Sequence, residues 1–280
     1  MRCCSAEARH RAPRLIRGVG QVLGRTRHAG RVELFSEIWR RASSVQPAPP
    51  PALVVLVAAA GFALVALPSF WPYTRMLVTI THEGSHAAAA LLTGRRLHGI
   101  RLHSDTSGLT LSSGRPNGPG MILTLVAGYL GPALAGLAAV GLLLAGRGLA
   151  LLWLVVLVLG LMLLQIRNLH GFAVVIGCVA VLIAVSWYFS ATAQSTLAYL
   201  LTWILLIAAP KPVVELIRQR RRGRERHSDA DQLARLTRVP APLWAAFFLV
   251  VNSAGLILGA GLLLPALIRL AHSAGGLVSG

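Results

Sequence analysis

The sequence predicts an all-α polytopic membrane protein with about seven transmembrane helices and a short cytoplasmic β-hairpin. Three observations lead there. Of 280 residues, 55% are hydrophobic and only 13% charged, whereas about a quarter of the residues of a soluble globule carry charge. The charges that exist fall in short blocks between long apolar runs. Basic residues also segregate to one side of the implied membrane, as the positive-inside rule requires. A water-soluble enzyme is excluded.

A spanning helix needs about 20 mostly apolar residues, because its backbone must satisfy its own hydrogen bonds in hydrocarbon. Pro51 to Trp71 carries no charge, and Met76 to Gly94 carries only Glu83. Pro116 to Gly146, Gly148 to Ile166, Asn168 to Pro210 and Val239 to Ile268 are uncharged. The Asn168 run has 43 residues, enough for two helices broken near Ser190 to Ser195, which brings the expected count to seven. With the amino terminus inside, segments 1–50, 95–115, Arg167 and 211–238 are cytoplasmic and hold 10, 4, 1 and 9 basic residues. Only Arg75, Arg147 and Arg269 fall outside, and the carboxyl terminus lies there too.

Residues 1–50 read as a basic, disordered cytoplasmic arm ending in the stiff stretch Pro47 to Pro51, with no apolar run of the signal-peptide kind. Residues 51–270 form the membrane domain, with a cytoplasmic hairpin at 95–118 and a cytoplasmic loop at 211–240, and 271–280 form a tail. Cys3, Cys4 and Cys178 are too few and too badly spaced for a disulfide framework or a cysteine zinc site. The run from Arg218 to Arg226 reads as a solvated positive-inside loop, so no nucleic-acid partner is expected.

Chemistry is concentrated in His82-Glu83-Gly84-Ser85-His86. Residues four apart share a helix face, so both imidazoles can hold one Zn2+ ion, and Glu83 beside them can take a proton from a water on the metal. The composition predicts roughly 0.006 chance matches to this pattern in the chain. Two histidines and a glutamate are also costly inside an apolar run unless they serve a function.

With these residues the chain resembles the M50 family of intramembrane zinc metalloproteases, the site-2 protease group, and within it the bacterial M50B-like branch. The resemblance runs from about Thr74 to Trp244. It rests on Thr81 to His86, Ala127 to Pro132, Arg167 to Gly171 and Ser228 to Asp231. It implies a zinc endopeptidase with Glu83 as general base, acting on membrane-embedded or membrane-adjacent protein segments from within the cytoplasmic membrane. In that family a β-region near the active-site helix is thought to bind extended substrate, and Leu97 to Ser113 alternates as a hairpin would.

Two ligands leave zinc one short. The stretch near Asn168, where better-known site-2 proteases carry an aspartate, has none. Asp229 matches the aspartate of the Ser-Asp-Ala element of the M50B-like branch and ranks first as third ligand, with His170 second and Asp231 third. A competing role for Asp229 is helix capping beside Ser228, and capping is slightly favoured. His98, His103 and Asp105 read as a polar turn rather than as ligands. The small residues of Ala127 to Gly136 suit close helix packing. The rival readings are a polytopic metal-binding transporter and a catalytically silent membrane scaffold, and Glu83 separates them, because only a protease needs its carboxylate.

Overall fold

A computed structural model describes residues 33, 36–41, 43–223 and 228–276, with side chains only up to 264. The chain divides into two units, Met1–Ser44 and Val45–Gly280. Within the first, residues 36–41 are helical and Glu37 pairs with Arg40 at 2.5 Å and Arg41 at 2.6 Å. Residues 1–32, 34, 35 and 42 of the expected arm lie outside the described residues, as does the end of the tail.

The second unit is built from helices α1 (Pro51–Ala66), α2 (Trp71–Leu92), α3 (Pro119–Leu144), α4 (Gly148–Leu163), α5 (Leu169–Tyr188), α6 (Ala191–Ala208), α7 (Pro210–Arg221), α8 (Asp229–Thr237) and α9 (Ala241–Gly276). Strands β1 (Arg96–Leu102) and β2 (Gly108–Ser113) lie between α2 and α3. Prolines occupy the first turn of α1, α2, α3 and α7, where a missing N–H costs nothing. Gly94 and Gly146 follow α2 and α3 with φ of 73° and 68°, conformations that favour glycine.

The apolar runs become helices because hydrocarbon leaves the backbone no other partner. α1, α3, α4, α5 and α6 share one core around Val54, Val140, Leu152, Val175 and Leu206, while Leu154, Leu157, Leu161 and Ile257 stay exposed on the outside. A second core joins α3, α7, α8 and α9 through Leu125, Leu216, Leu233 and Phe248.

β1 and β2 pair antiparallel, Ile100 opposite Thr110 and Leu102 opposite Gly108. The turn between them closes with His103 N–H donating to Ser107 O at 2.9 Å. On its other edge β1 meets the α4–α5 turn: Ile100 N–H donates to Gln165 O at 2.8 Å and Arg167 N–H to Ile100 O at 2.9 Å. Asn168 completes this edge, its side chain donating to Leu102 O at 2.6 Å and accepting from Leu102 N–H at 3.2 Å. β1 is therefore paired on both sides, and among the described residues β2 has no second strand partner.

The expected seven crossings are not confirmed. Among the described residues, four spans are long and apolar enough to cross a membrane: α3, α5, α6 with α7, and α9 up to Leu264. α4 is apolar but has 16 residues, about 24 Å at 1.5 Å per residue against a core of roughly 30 Å. α1 and α2 pass only as a pair, and they are bent by 95° at the break between them. Together with a buried polar anchor, this bend decides the path of the chain. Gln46 accepts from Leu149 N–H at 3.0 Å, its amide donates to Gln194 at 2.7 Å, and its backbone N–H donates to Gly146 O at 2.8 Å. Val45–Pro50 thus sits where α4 begins, and the hairpin pairs with the turn where α4 ends. Residue 50 and the hairpin lie at opposite ends of the bundle, where seven crossings would put them at the same end.

Reporters inserted between Ser44 and Val45 and at Gly146 are expected in one compartment, and reporters at Gly114 and Gly223 in the other. A Ser44 reporter that sided with Gly114 would restore the seven-crossing path.

Candidate metal centre

α2 presents two polar stripes, each built on four-residue spacing. His82 and His86 face α3 and α8, and Thr79 and Glu83 face the hairpin. The His82 and His86 Nε2 atoms lie 3.0 Å apart, and Asp229 Oδ2 is 3.3 Å from each. Among the described residues these three side chains form the one cluster of potential ligands whose atoms all fall within 4.8 Å of one another. A tetrahedron with bonds of about 2.0–2.1 Å has edges of about 3.3 Å, so the triangle fits one face of a zinc site. Two imidazoles and a carboxylate are also donors that zinc accepts.

α3 positions the histidines. His86 Nδ1 lies 2.7 Å from Thr124 O. A carbonyl only accepts, so Nδ1 carries a hydrogen toward Thr124, which leaves Nε2, on the Asp229 side, as the nitrogen that can ligate a metal once it gives up its own proton. This contact needs a close approach of helices. A Cβ on Gly128 would collide with the His86 ring and come within 2.8 Å of His82 Cε1, and one on Gly131 would collide with Ser85. Tyr129 packs edge-on against His82 with ring centroids 4.9 Å apart, and it stacks on Phe248 of α9 at 5.0 Å.

α8 supplies the third side chain, and the two aspartates at its start divide the roles that the sequence left open for Asp229. Asp231 does the capping: its carboxylate accepts from Ser228 N–H at 3.1 Å and from Ser228 Oγ–H at 2.7 Å, and it pairs with Arg220 of α7. Asp229 turns instead to the histidines. Burial would by itself raise the Asp229 carboxyl, but the charge and hydrogen bonds of His86 and His82 outweigh this and hold it below the ordinary carboxylate range. Asp231 is lowered as well, burial opposing and Arg220 and Ser228 prevailing. Ala230 and Leu233, both fully buried, anchor α8 in the second core.

Glu83 is 5% exposed, and its carboxylate accepts a hydrogen bond from Thr110 of β2 at 2.6 Å. β2 and the two faces of α2 line a cleft of about 530 Å³, which Arg75, Tyr129 and Glu215 also border.

The other candidates lie elsewhere. His170 is exposed at the start of α5. His98 bonds Ser113 at 2.6 Å on the outside of the hairpin, and His103 lies 3.3 Å from Ser107. Asp105 closes the turn by accepting from Ser107 N–H at 2.9 Å and Oγ–H at 2.6 Å, and Ser107 holds its carboxyl below the usual range. Sequence reasoning missed Thr110, Thr124 and Gly128. The small-residue pattern around Gly128 was a signal for close packing, whereas nothing in a sequence marks a backbone carbonyl such as that of Thr124.

Gly128→Ala should abolish metal binding, because its methyl group displaces both rings, and zinc per chain measured by atomic absorption checks this. Asp231→Asn should cost about 1 kcal/mol of stability through the weakened cap and leave metal content unchanged.

The family model described as Peptidase M50B-like matches residues 54–260, a range that contains every side chain of this centre. No curated protein and no solved structure gives a significant match. The match covers well over half of the 280 residues, and the chain belongs to the Peptidase M50B-like family, a family of multi-pass membrane peptidases.

Proposed function

We propose that this protein is a zinc-dependent endopeptidase of the cytoplasmic membrane that cuts membrane-embedded or membrane-adjacent segments of other proteins. The observation that carries this reading is the convergence of His82, His86 and Asp229 beside a buried Glu83, next to a strand with an open edge. A zinc ion bound there would polarise a peptide carbonyl and make a water acidic enough to attack it near neutral pH. His82 and His86 would hold the ion through Nε2, with Asp229 as third ligand and partial neutraliser of its charge. Glu83 accepts the proton that the attacking water loses and returns it to the leaving amide nitrogen. β2 offers backbone groups to which an extended substrate can add as a further strand.

The same reading includes a path of six crossings: the four long spans, the bent α1–α2 pair counting as one, and α4, whose 16 apolar residues cross with the bilayer locally thinned around them. It is supported by the Gln46 anchor at the end opposite the hairpin. The hairpin end is assigned to the cytoplasm. Within the second unit, 95–115, Arg167 and 211–238 carry 4, 1 and 9 basic residues, against Arg147 and Arg269 at the other end.

Purified protein should contain about one zinc per chain. Glu83→Gln should keep the metal and lose cleavage about 10²- to 10⁴-fold, the usual contribution of a general base. Asp229→Asn should lose both zinc and activity with expression intact, and metal affinity should weaken on acidification because protons compete for the ligating atoms. Undiminished cleavage by Glu83→Gln would rule out the hydrolytic reading.

A further inference from the structure

We propose that Thr110 is a positioning residue for Glu83, through which the hairpin sets where the proton-accepting carboxylate sits. The proposal rests on the peptidase reading above for its kinetic consequence, while the contact itself is independent of that reading. Thr110 Oγ1 lies 2.6 Å from Glu83 Oε2 and 3.1 Å from Glu83 O. A hydroxyl has a single hydrogen, and the shorter, charge-assisted contact is with the carboxylate. Two residues earlier on the same face of β2 stands Gly108, where a Cβ would lie 2.5 Å from Glu83 Cγ and 2.6 Å from Oε1. One residue of β2 therefore grips an oxygen of Glu83, and another makes room for the rest of the side chain.

The placement follows from the two stripes of α2. Glu83 is rotated about 100° from His82 around the helix, which turns it from α3 toward the hairpin. Thr79, one turn earlier on that stripe, donates to Thr106 O at 2.8 Å, so the hairpin is tied to α2 at its turn as well as along β2. With Oε2 held by Thr110, Oε1 is the oxygen left to take a proton. General-base transfer works only within hydrogen-bond reach, and a misplacement of about 1 Å can cost about 100-fold in rate. Because β1 is anchored to Gln165 and Asn168, the register of β2 is fixed relative to the bundle, and Thr110 passes that register on to the base.

The test uses the zinc-loaded full chain in detergent with fluorescently labelled casein as probe. Thr110→Val keeps the shape of the side chain and removes the donor. It should lower kcat about 10- to 100-fold while KM and zinc content stay unchanged, and Thr110→Ser should restore kcat to within about threefold of the parent. In parallel, the infrared carboxylate stretch of Glu83, isolated as the difference from Glu83→Gln, should move when Thr110→Val is introduced. Unchanged kcat in Thr110→Val, an equal loss in Thr110→Ser, a loss confined to KM or zinc, or an unmoved stretch would each overturn the proposal. If the parent protein binds zinc and cleaves nothing while the stretch still moves, the peptidase reading fails and the Thr110–Glu83 contact stands.

Discussion

The absence of a side chain at Gly128 lets α3 lie against α2 closely enough for the Thr124 carbonyl to reach His86, and the rest of the centre depends on that distance. Burying two imidazoles and a carboxylate among apolar helices is costly unless each finds a partner. Here the partner of His86 is a backbone carbonyl on one side and Asp229 on the other. Close approach thus turns Nδ1 to the carbonyl and Nε2 to Asp229, and only then can a third side chain complete the triangle.

That third side chain arrives from a short amphipathic helix rather than from a membrane span. α8 is held by buried Ala230 and Leu233 below and by the pairing of Asp231 with Arg220 at its start. Asp231, at the third helical position, bonds back to the N-cap Ser228, so Asp229, two residues earlier, is free of that backbone duty and projects from the first turn into the cleft. The arginines of α7 act in part through this geometry: Arg220 is a strut for the helix that carries the third side chain, as well as a charge that marks the hairpin end of the protein.

α1 and α2 show how a polar anchor redirects apolar segments. Gln46 is buried and places the start of α1 against the α3–α4 and α5–α6 turns. From there α1 runs alongside α6, with Gly61 against Trp203 and Val65 accepting from Lys211. The chain then bends by 95°, and α2 crosses the face of α3 instead of returning antiparallel to α1. This bend brings the middle of α2 beside the hairpin, so Glu83 and the histidine stripe face different neighbours.

Much of this protein was legible because the relevant information is local. The apolar runs, the four-residue histidine spacing, the alternating strands of the hairpin and the Ser-Asp-Ala start of α8 each depend on residues a few positions apart, where helix and strand periods apply directly. The direction of the α1–α2 pair was not legible. Charge counting assumes that every apolar run crosses by itself, and the contact that argues for another path joins Gln46 to a residue 148 positions away. The division between Asp229 and Asp231 was also hidden, since both lie in the first turn of one helix and only its docking shows which faces the histidines. Sequence alone determined which segments are apolar and which residue types carry the chemistry, because those follow from composition and period. Tertiary structure decided which aspartate, which carbonyl and which strand reach the site, because each is brought there by packing between elements distant in the chain.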